Sequence, residues 1–250
     1  MLRLIALWLS VMLLSACSLG GESTATPEPT PNAVTLAAES AAKVSEADTL
    51  RLEISQSGIP NYVLVDLGQG IIQAIFRRAV GQYAAPGEMA VAVRLIVAGL
   101  PLDVDIYSND GDQWYRALFT GNRWLNVPFA EGFDPADIIT EDTGIRGVLN
   151  SLLELQYVAS ENLEDNTPVY HLKGRAEGEA VSMMLDNLVT FPAQVIVDAF
   201  IHRETLYPVR LVLVQTETAN VADEEPTTWT IDVYDVNAEL EITPPADSGA

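Results

Sequence analysis

Apolar and polar residues alternate one for one through most of this chain, and a period of two restricts it to a sheet-rich fold. Leu50, Leu52 and Ile54 alternate with Arg51, Glu53 and Ser55. Met89, Val91, Val93, Leu95 and Val97 share one face; after a turn at Gly99 to Pro101, so do Leu102, Val104 and Ile106. Asn109-Asp110-Gly111-Asp112 is a hairpin turn signal, and Trp114 to Leu118 continues as a strand. Further strands are predicted at 154–160 and 168–175. The alternation returns at Val195, Val197, Ala199 and Ile201, at Val209, Leu211 and Leu213, and at Trp229, Ile231 and Val233 towards Asp235. Residues 71–83 are ambiguous by period.

Three stretches carry helical spacing instead. Leu36, Ala37, Ala41, Val44 and Ala47 predict a helix over 35–47. Asp134-Pro135 opens a second stretch, which runs through Ile145, Val148, Leu149, Leu152 and Leu153. Glu177 to Leu188 is a third, striped by Val181, Met184, Leu185 and Leu188. An antiparallel sheet with one apolar face needs a cover. The expected class is therefore α+β: a curved antiparallel β half-barrel with helices packed on its concave face.

The amino terminus sets the address. Met1-Leu2-Arg3 precedes an apolar run that closes in Leu14-Ser15-Ala16-Cys17, and Cys17 is the only cysteine. Leu4 to Ala16 is shorter than the roughly 20 residues a spanning helix needs, so 1–16 reads as a signal peptide. Leu-Ser-Ala-Cys is the lipobox of bacterial lipoproteins, in which the thiol receives a diacylglycerol and the chain is cut before it. Cys17 is then a lipid anchor and no disulfide is available. Residues 17–34, rich in Gly, Ser, Thr and Pro, form an extended tether. It is long enough to hold a domain up to about 50 Å from the membrane at ~3.1 Å per residue. Residues 35–245 form one domain, with 246–250 as a frayed tail.

A formal charge of −22 repels phosphate backbones and excludes nucleic acid as a natural partner. No nucleophile elbow, Walker loop or zinc-protease motif occurs, so no catalytic residue is assigned and the chain does not read as an enzyme. His171 and His202 are the only histidines, too few for a usual zinc site; no metal and no cofactor is expected. Asp103, Asp105, Asp198 and Asp232 each lie opposite an apolar face and read as solvated rather than as acid–base pairs. Trp114, Tyr115, Trp124 and Phe129 read as core, with an exposed glycan platform as the other reading.

The order of features resembles the LppX/LprAFG lipoprotein family, related in shape to the carriers LolA and LolB. The resemblance runs from about Ala37 to Pro245. It rests on the lipobox, Thr49-Leu50-Arg51-Leu52-Glu53-Ile54, Trp114-Tyr115 with Trp124, and Gly144-Ile145 before Leu149. It continues through Val169 to Gly174, Val195 to Ile201, Tyr207-Pro208-Val209-Arg210-Leu211 and the ending from Tyr234 to Pro245. The chain departs from the pattern at Phe200, where a late strand usually carries tryptophan, and in the acidic loop 219–226.

The resemblance implies an apolar cavity between sheet and helices, and an acylated lipid or glycolipid as ligand, carried or retained at the cell envelope on the extracytoplasmic side. One wall would be Val91, Val93, Leu95, Val97, Leu102, Val104, Ile106, Val195, Val197, Leu211 and Leu213. The helical wall would be Leu149, Leu152, Leu153, Val181, Met184 and Leu185. From the residues alone, a filled core of these same side chains is the favoured reading. The alternative is then a cell-surface protein- or glycan-binding module with a dry packed interior.

Overall fold

Two β-meanders meet side by side in the middle of one sheet. The computed structural model describes residues 30–66, 71–127, 134–140, 142–185, 187–221 and 223–246. Residues 31–250 form one unit. The first meander comprises β1 (Thr49–Ser57), β2 (Tyr62–Asp66), β3 (Ile71–Ala84), β4 (Glu88–Val97), β5 (Leu100–Asn109) and β6 (Asp112–Ala117). The second comprises β7 (Leu153–Asn162), β8 (Pro168–Ala176), β9 (Val195–His202), β10 (Pro208–Gln215) and β11 (Thr228–Tyr234). All pairings are antiparallel, in the order β6-β5-β4-β3-β1-β11-β10-β9-β8-β7, with β2 beside β3. The sheet is open: β6 and β7 are its ends, and no pairing joins them among the described residues.

Turn chemistry fixes the registers. The β4–β5 loop is Ala98-Gly99, with φ of 50° and 80°, and the β5–β6 loop is Asp110-Gly111, with φ of 51° and 83°. Two successive positive-φ residues give the hairpin turn whose twist matches the strands. The expected turn at Gly99 to Pro101 is therefore one residue earlier than predicted, and Pro101 already lies in β5. Residues 71–83 are strand. Their period is masked because the register shifts between Phe76 and Arg78. A bulge there inserts one residue, so the inward positions run through buried Ala74 and half-buried Phe76, then Ala79, Gly81 and Tyr83.

The helices are short. α1 (Ala33–Val44) begins two residues before the predicted start, because Asn32 caps it: its side-chain oxygen accepts the Thr35 N–H at 3.0 Å. The stretch 134–153 is two helices, α2 (Asp137–Thr140) and α3 (Ile145–Asn150). Leu152 and Leu153 are not helical. Leu153 opens β7, an end strand, and is 44% exposed. α4 (Gly178–Met184) stops before Leu185 and Leu188.

α1 lies against α3 and touches β7, β9 and β10. Val195, Val197 and Ile201 of β9 and Leu211 and Leu213 of β10 are buried beneath the helices in one continuous core. Each such side chain contributes roughly 1.5–3 kcal/mol by leaving water. Together they are the main force closing the helical layer onto the sheet. No helix among the described residues is long and apolar enough to cross a membrane.

The opposite face is laced by ion pairs, and Asp103, Asp105, Asp198 and Asp232 all join them. Each stands directly across from a basic residue: Arg94, Arg116, Lys173 and Arg210. The separations are 2.7, 2.8, 2.8 and 2.6 Å. The Arg94 guanidinium, by its hydrogen bonds and then its charge, holds the Asp103 carboxyl below the ordinary carboxylate value. A carboxyl lowered in the folded state adds stability above its unfolded value, and that stability is lost as pH falls through the folded one. Arg94→Met is expected to return the Asp103 titration, followed by NMR, to the ordinary range. It should change stability at neutral pH by less than about 1 kcal/mol, because the pair is exposed. An unmoved titration would show that Arg94 does not set it.

Candidate functional site

The inner face of the first meander contains a hollow where Ala79, an inward position on β3, carries only a methyl group. One cross-strand row reads Leu52, Gly81, Val91 and Ile106; the next reads Ile54, Ala79, Val93 and Val104. Larger residues on β1 and β4 flank Gly81 and Ala79. The Met89 side chain covers Gly81 so closely that a Cβ there would lie 2.8 Å from its terminal methyl. Beyond Ala79, Phe76 stacks on Trp229 with ring centres 4.9 Å apart.

The hollow is an apolar pocket. Its sheet wall is Leu52 and Ile54 of β1, Val63 of β2, Phe76 and Ala79 of β3, Met89, Val91, Val93 and Leu95 of β4, Ile106 of β5 and Trp229 of β11. Its other wall is Pro135 and Ile138 from α2 and its approach, with Leu185, Leu188 and Val189 after α4. The free volume is about 70 Å³, within a larger region of about 710 Å³ that includes the open mouth. The clear space at its centre is narrow. The sheet wall is fixed by strand pairing, whereas the 185–189 wall follows the last turn of a seven-residue helix. That wall is the part able to yield at low cost.

The residues named from sequence separate into groups. Val91, Val93, Leu95, Ile106 and Leu185 line the pocket. Val97 and Leu102 continue the same inner face towards the β4–β5 turn and are half-buried. Val104 is buried beside Val93 without reaching the pocket lining. Leu149, Val181, Met184, Val195, Val197, Leu211 and Leu213 are buried in the helix–sheet core. Leu152 packs half-buried on that core and Leu153 faces solvent. Phe76 and Ala79 were hidden by the β3 bulge. Leu188 was read on the helical stripe without being assigned to a wall, and Val189 was missed because it lies in irregular chain, which has no period to read.

Among the described residues, the side chains lining this pocket are all apolar, and the polar ones singled out from sequence lie elsewhere. His171 is on the outer face, its Nδ1 3.0 Å from Glu161 and its Nε2 2.8 Å from Asp198, stacked on Phe200 at 4.4 Å. His202 is half-buried, not exposed as a turn opener should be, because its Nδ1 accepts the backbone N–H groups of Glu204 and Thr205. Among the described residues no group of three or more His, Cys, Asp or Glu could hold a metal. Trp114 is buried, with its ring centre 5.6 Å from that of Tyr107. Burial, and then its hydrogen bond to the Glu88 carboxylate, pushes the Tyr107 hydroxyl up to about 12. Trp124 is half-buried, with the Arg116 guanidinium 4.7 Å above its ring. Phe129, Cys17 and the residues before Thr30 lie outside the described residues.

An open antiparallel sheet with short helices has counterparts among known proteins. The chain belongs to the LppX/LprAFG lipoprotein family, whose sequence profile matches residues 32–242. It is 24% identical over 183 residues to the protein named lipoarabinomannan carrier protein LprG, in Mycobacterium tuberculosis (strain ATCC 25618 / H37Rv) and in Mycobacterium bovis (strain ATCC BAA-935 / AF2122/97). The match covers 72% of this chain and 71% of each relative. In fold it is similar to the crystal structure of LprF from Mycobacterium bovis, with a TM-score of 0.64 and 13% identity over 87% of this chain and 99% of that one. It is also similar to the crystal structure of the Mycobacterium tuberculosis lipoprotein LppX, with a TM-score of 0.54 and 13% identity over 84% and 98%.

Proposed function

We propose that this protein is an extracytoplasmic lipoprotein, tethered to a membrane through Cys17, that binds an acylated lipid or glycolipid and carries or retains it at the cell envelope. The observation that carries this reading is the pocket: apolar in all its lining side chains, floored by Ala79, in a chain of the LppX/LprAFG family. The name of the LprG relatives supports a glycolipid as cargo. An acyl chain needs apolar wall and nothing else, at about 0.8 kcal/mol per methylene removed from water. No catalytic group, cofactor or nucleic acid enters the reading.

In this reading residues 1–16 are removed, 17–34 are the leash and 35–245 are the lipid-binding domain. The sheet curves as a half-barrel with the helices on its concave side. Loading then widens the pocket at the Leu185–Val189 wall, because the clear space is narrow and the paired strands are stiff. The narrowness of that space is also what favours the second reading, a protein- or glycan-binding module with a dry interior.

The test is native mass spectrometry of the domain expressed from Ser18 without the signal and cysteine, with titration of a fluorescent fatty-acyl probe. A co-purified lipid, or saturable probe binding at micromolar concentration or below, is expected. Absence of both rejects the carrier reading in favour of the dry module.

A further inference from the structure

The inner face of the central strands is apolar until its last row, where it turns polar without being satisfied. Along β1 the inward residues are Leu50, Leu52, Ile54 and then Gln56. Along β10 they are Leu211, Leu213 and then Gln215, and along β11 Val233, Ile231, Trp229 and then Thr227 just before the strand. Gln56 stands opposite Trp229, which stands opposite Leu213, and Gln215 lies one inward step further along β10, its N–H donating to the Thr227 carbonyl at 3.0 Å. These residues therefore sit together at one end of three neighbouring strands. They are deeply buried, at 6% exposure for Gln56, 5% for Gln215, and 1% for Trp229 and Thr227.

Three buried polar atoms in this row have no hydrogen-bond partner among the described residues: Gln56 Oε1, Gln215 Nε2 and Trp229 Nε1. The indole of Trp229 can only donate, and the orientation of Gln56 is set by its own bonds. The Gln56 amide donates from Nε2 to the carbonyls of Ser57 at 2.8 Å and Ile59 at 2.9 Å. That fixes its orientation and leaves Oε1 as an acceptor. Thr227 is already engaged, its hydroxyl donating to the Ile59 carbonyl at 2.8 Å. The row thus presents two N–H donors and one carbonyl acceptor. Buried polar groups in folded proteins are overwhelmingly paired, so three unpaired ones in adjacent positions call for a partner.

The row adjoins the pocket. Trp229 and Ile54 both line it, and Gln56 is one inward step beyond Ile54, about 7 Å along the strand. We propose that Gln56, Gln215 and Trp229 form a polar end-stop that takes the ester and adjoining hydroxyl of an acylated polyol whose acyl chain enters the pocket. An ester carbonyl accepts from the two N–H groups and a free hydroxyl donates to Gln56 Oε1, so all three atoms are satisfied. A free fatty acid fits worse: an ionised carboxylate accepts only, leaving Gln56 Oε1 opposed to oxygen, in a chain whose charge of −22 already repels anions. A plain hydrocarbon satisfies none of the three.

This proposal rests on the lipid-binding reading, and the experiment separates the two. Wild type, Gln215→Met and Trp229→Phe, each as the domain from Ser18, are titrated with dioctanoylglycerol and with diphenylhexatriene, a hydrocarbon with no hydrogen-bonding group. Each variant is expected to bind dioctanoylglycerol about tenfold more weakly, since a buried hydrogen bond is lost. Diphenylhexatriene affinity should change by less than about twofold in Gln215→Met. The melting temperature of Gln215→Met should hold or rise, because an unpaired buried amide is removed. In wild type, the infrared stretch of a ¹³C-labelled ester carbonyl should stay in the hydrogen-bonded range on binding. Unchanged dioctanoylglycerol affinity in both variants, or a bound carbonyl in the free range, overturns the end-stop and leaves an apolar carrier. Failure of wild type to bind either compound overturns the lipid-binding reading and the end-stop with it.

Discussion

Replacing Ala79 by leucine should weaken binding of an acyl ligand at least tenfold while leaving the protein as stable as before or more so. Ala79 lies in the row between Ile54 and Val93, on the floor of the pocket. A leucine there projects three more carbon atoms into the free volume. If that volume is truly unfilled, the leucine recovers part of the cavity cost. At about 24 cal/mol per Å³, the enclosed 70 Å³ sets an upper gain of about 1.7 kcal/mol. If the same side chains instead form a filled core, the added atoms force strain costing about 1–3 kcal/mol. The sign of the stability change from urea unfolding therefore separates pocket from packed core without any ligand. Loss of stability by more than about 1 kcal/mol with unchanged probe binding would place the cargo elsewhere.

That contrast is the point at which the sequence runs out. Alternation made the strands legible, since burial on one face imposes period two wherever the strand is regular. Val91, Val93 and Leu95 could be placed on an inner face from that alone. Strand faces carry no mark that says whether the layer above touches them. Val195 and Leu213 read the same as Val91, yet they meet helices while Val91 faces the hollow. What distinguishes them is across the sheet, in small residues on β3. Those were illegible because the bulge after Phe76 moved Ala79 and Gly81 out of phase with Ala74 and Phe76.

Helix ends were less legible than strands, for a related reason. Leu152 and Leu153 continue the spacing of Val148 and Leu149, and apolar spacing alone extends a helix until something stops it. Ser151 ends α3 by donating its N–H back to Gly147 and Val148, and the edge of the sheet then recruits Leu153 into β7. The polar row was legible as residues and not as a site. Gln56 and Gln215 continue the inward phase of Ile54 and Leu213, so a strict reading places them inside. It does not show that they are neighbours, because β10 and β11 come back beside β1 only in the assembled sheet.

Gly178→Ala tests the other wall, and it should destabilise the domain by about 2–4 kcal/mol. Gly178 is the first residue of α4, where helix propensity alone would favour alanine by close to 1 kcal/mol. Packing reverses that preference. A Cβ at Gly178 would lie 2.1 Å from the Phe191 carbonyl oxygen and 2.3 Å from that of Ala193. Both are backbone atoms that cannot rotate aside. The same segment is tied to α4 through Ser182, whose hydroxyl accepts the Phe191 N–H and donates to the Gly178 carbonyl, both at 2.9 Å. Phe191 in turn sets its ring edge against Trp229 at 6.1 Å. Moving 191–193 outward to admit the methyl therefore disturbs both ends of the loop that carries Leu185, Leu188 and Val189. Urea unfolding should show a lower midpoint with an unchanged slope, and probe affinity should shift as the pocket wall moves. A variant at least as stable as wild type would mean that helix propensity prevails and that α4 is not seated so closely on this segment. The yielding wall would then have to be sought at α2 instead.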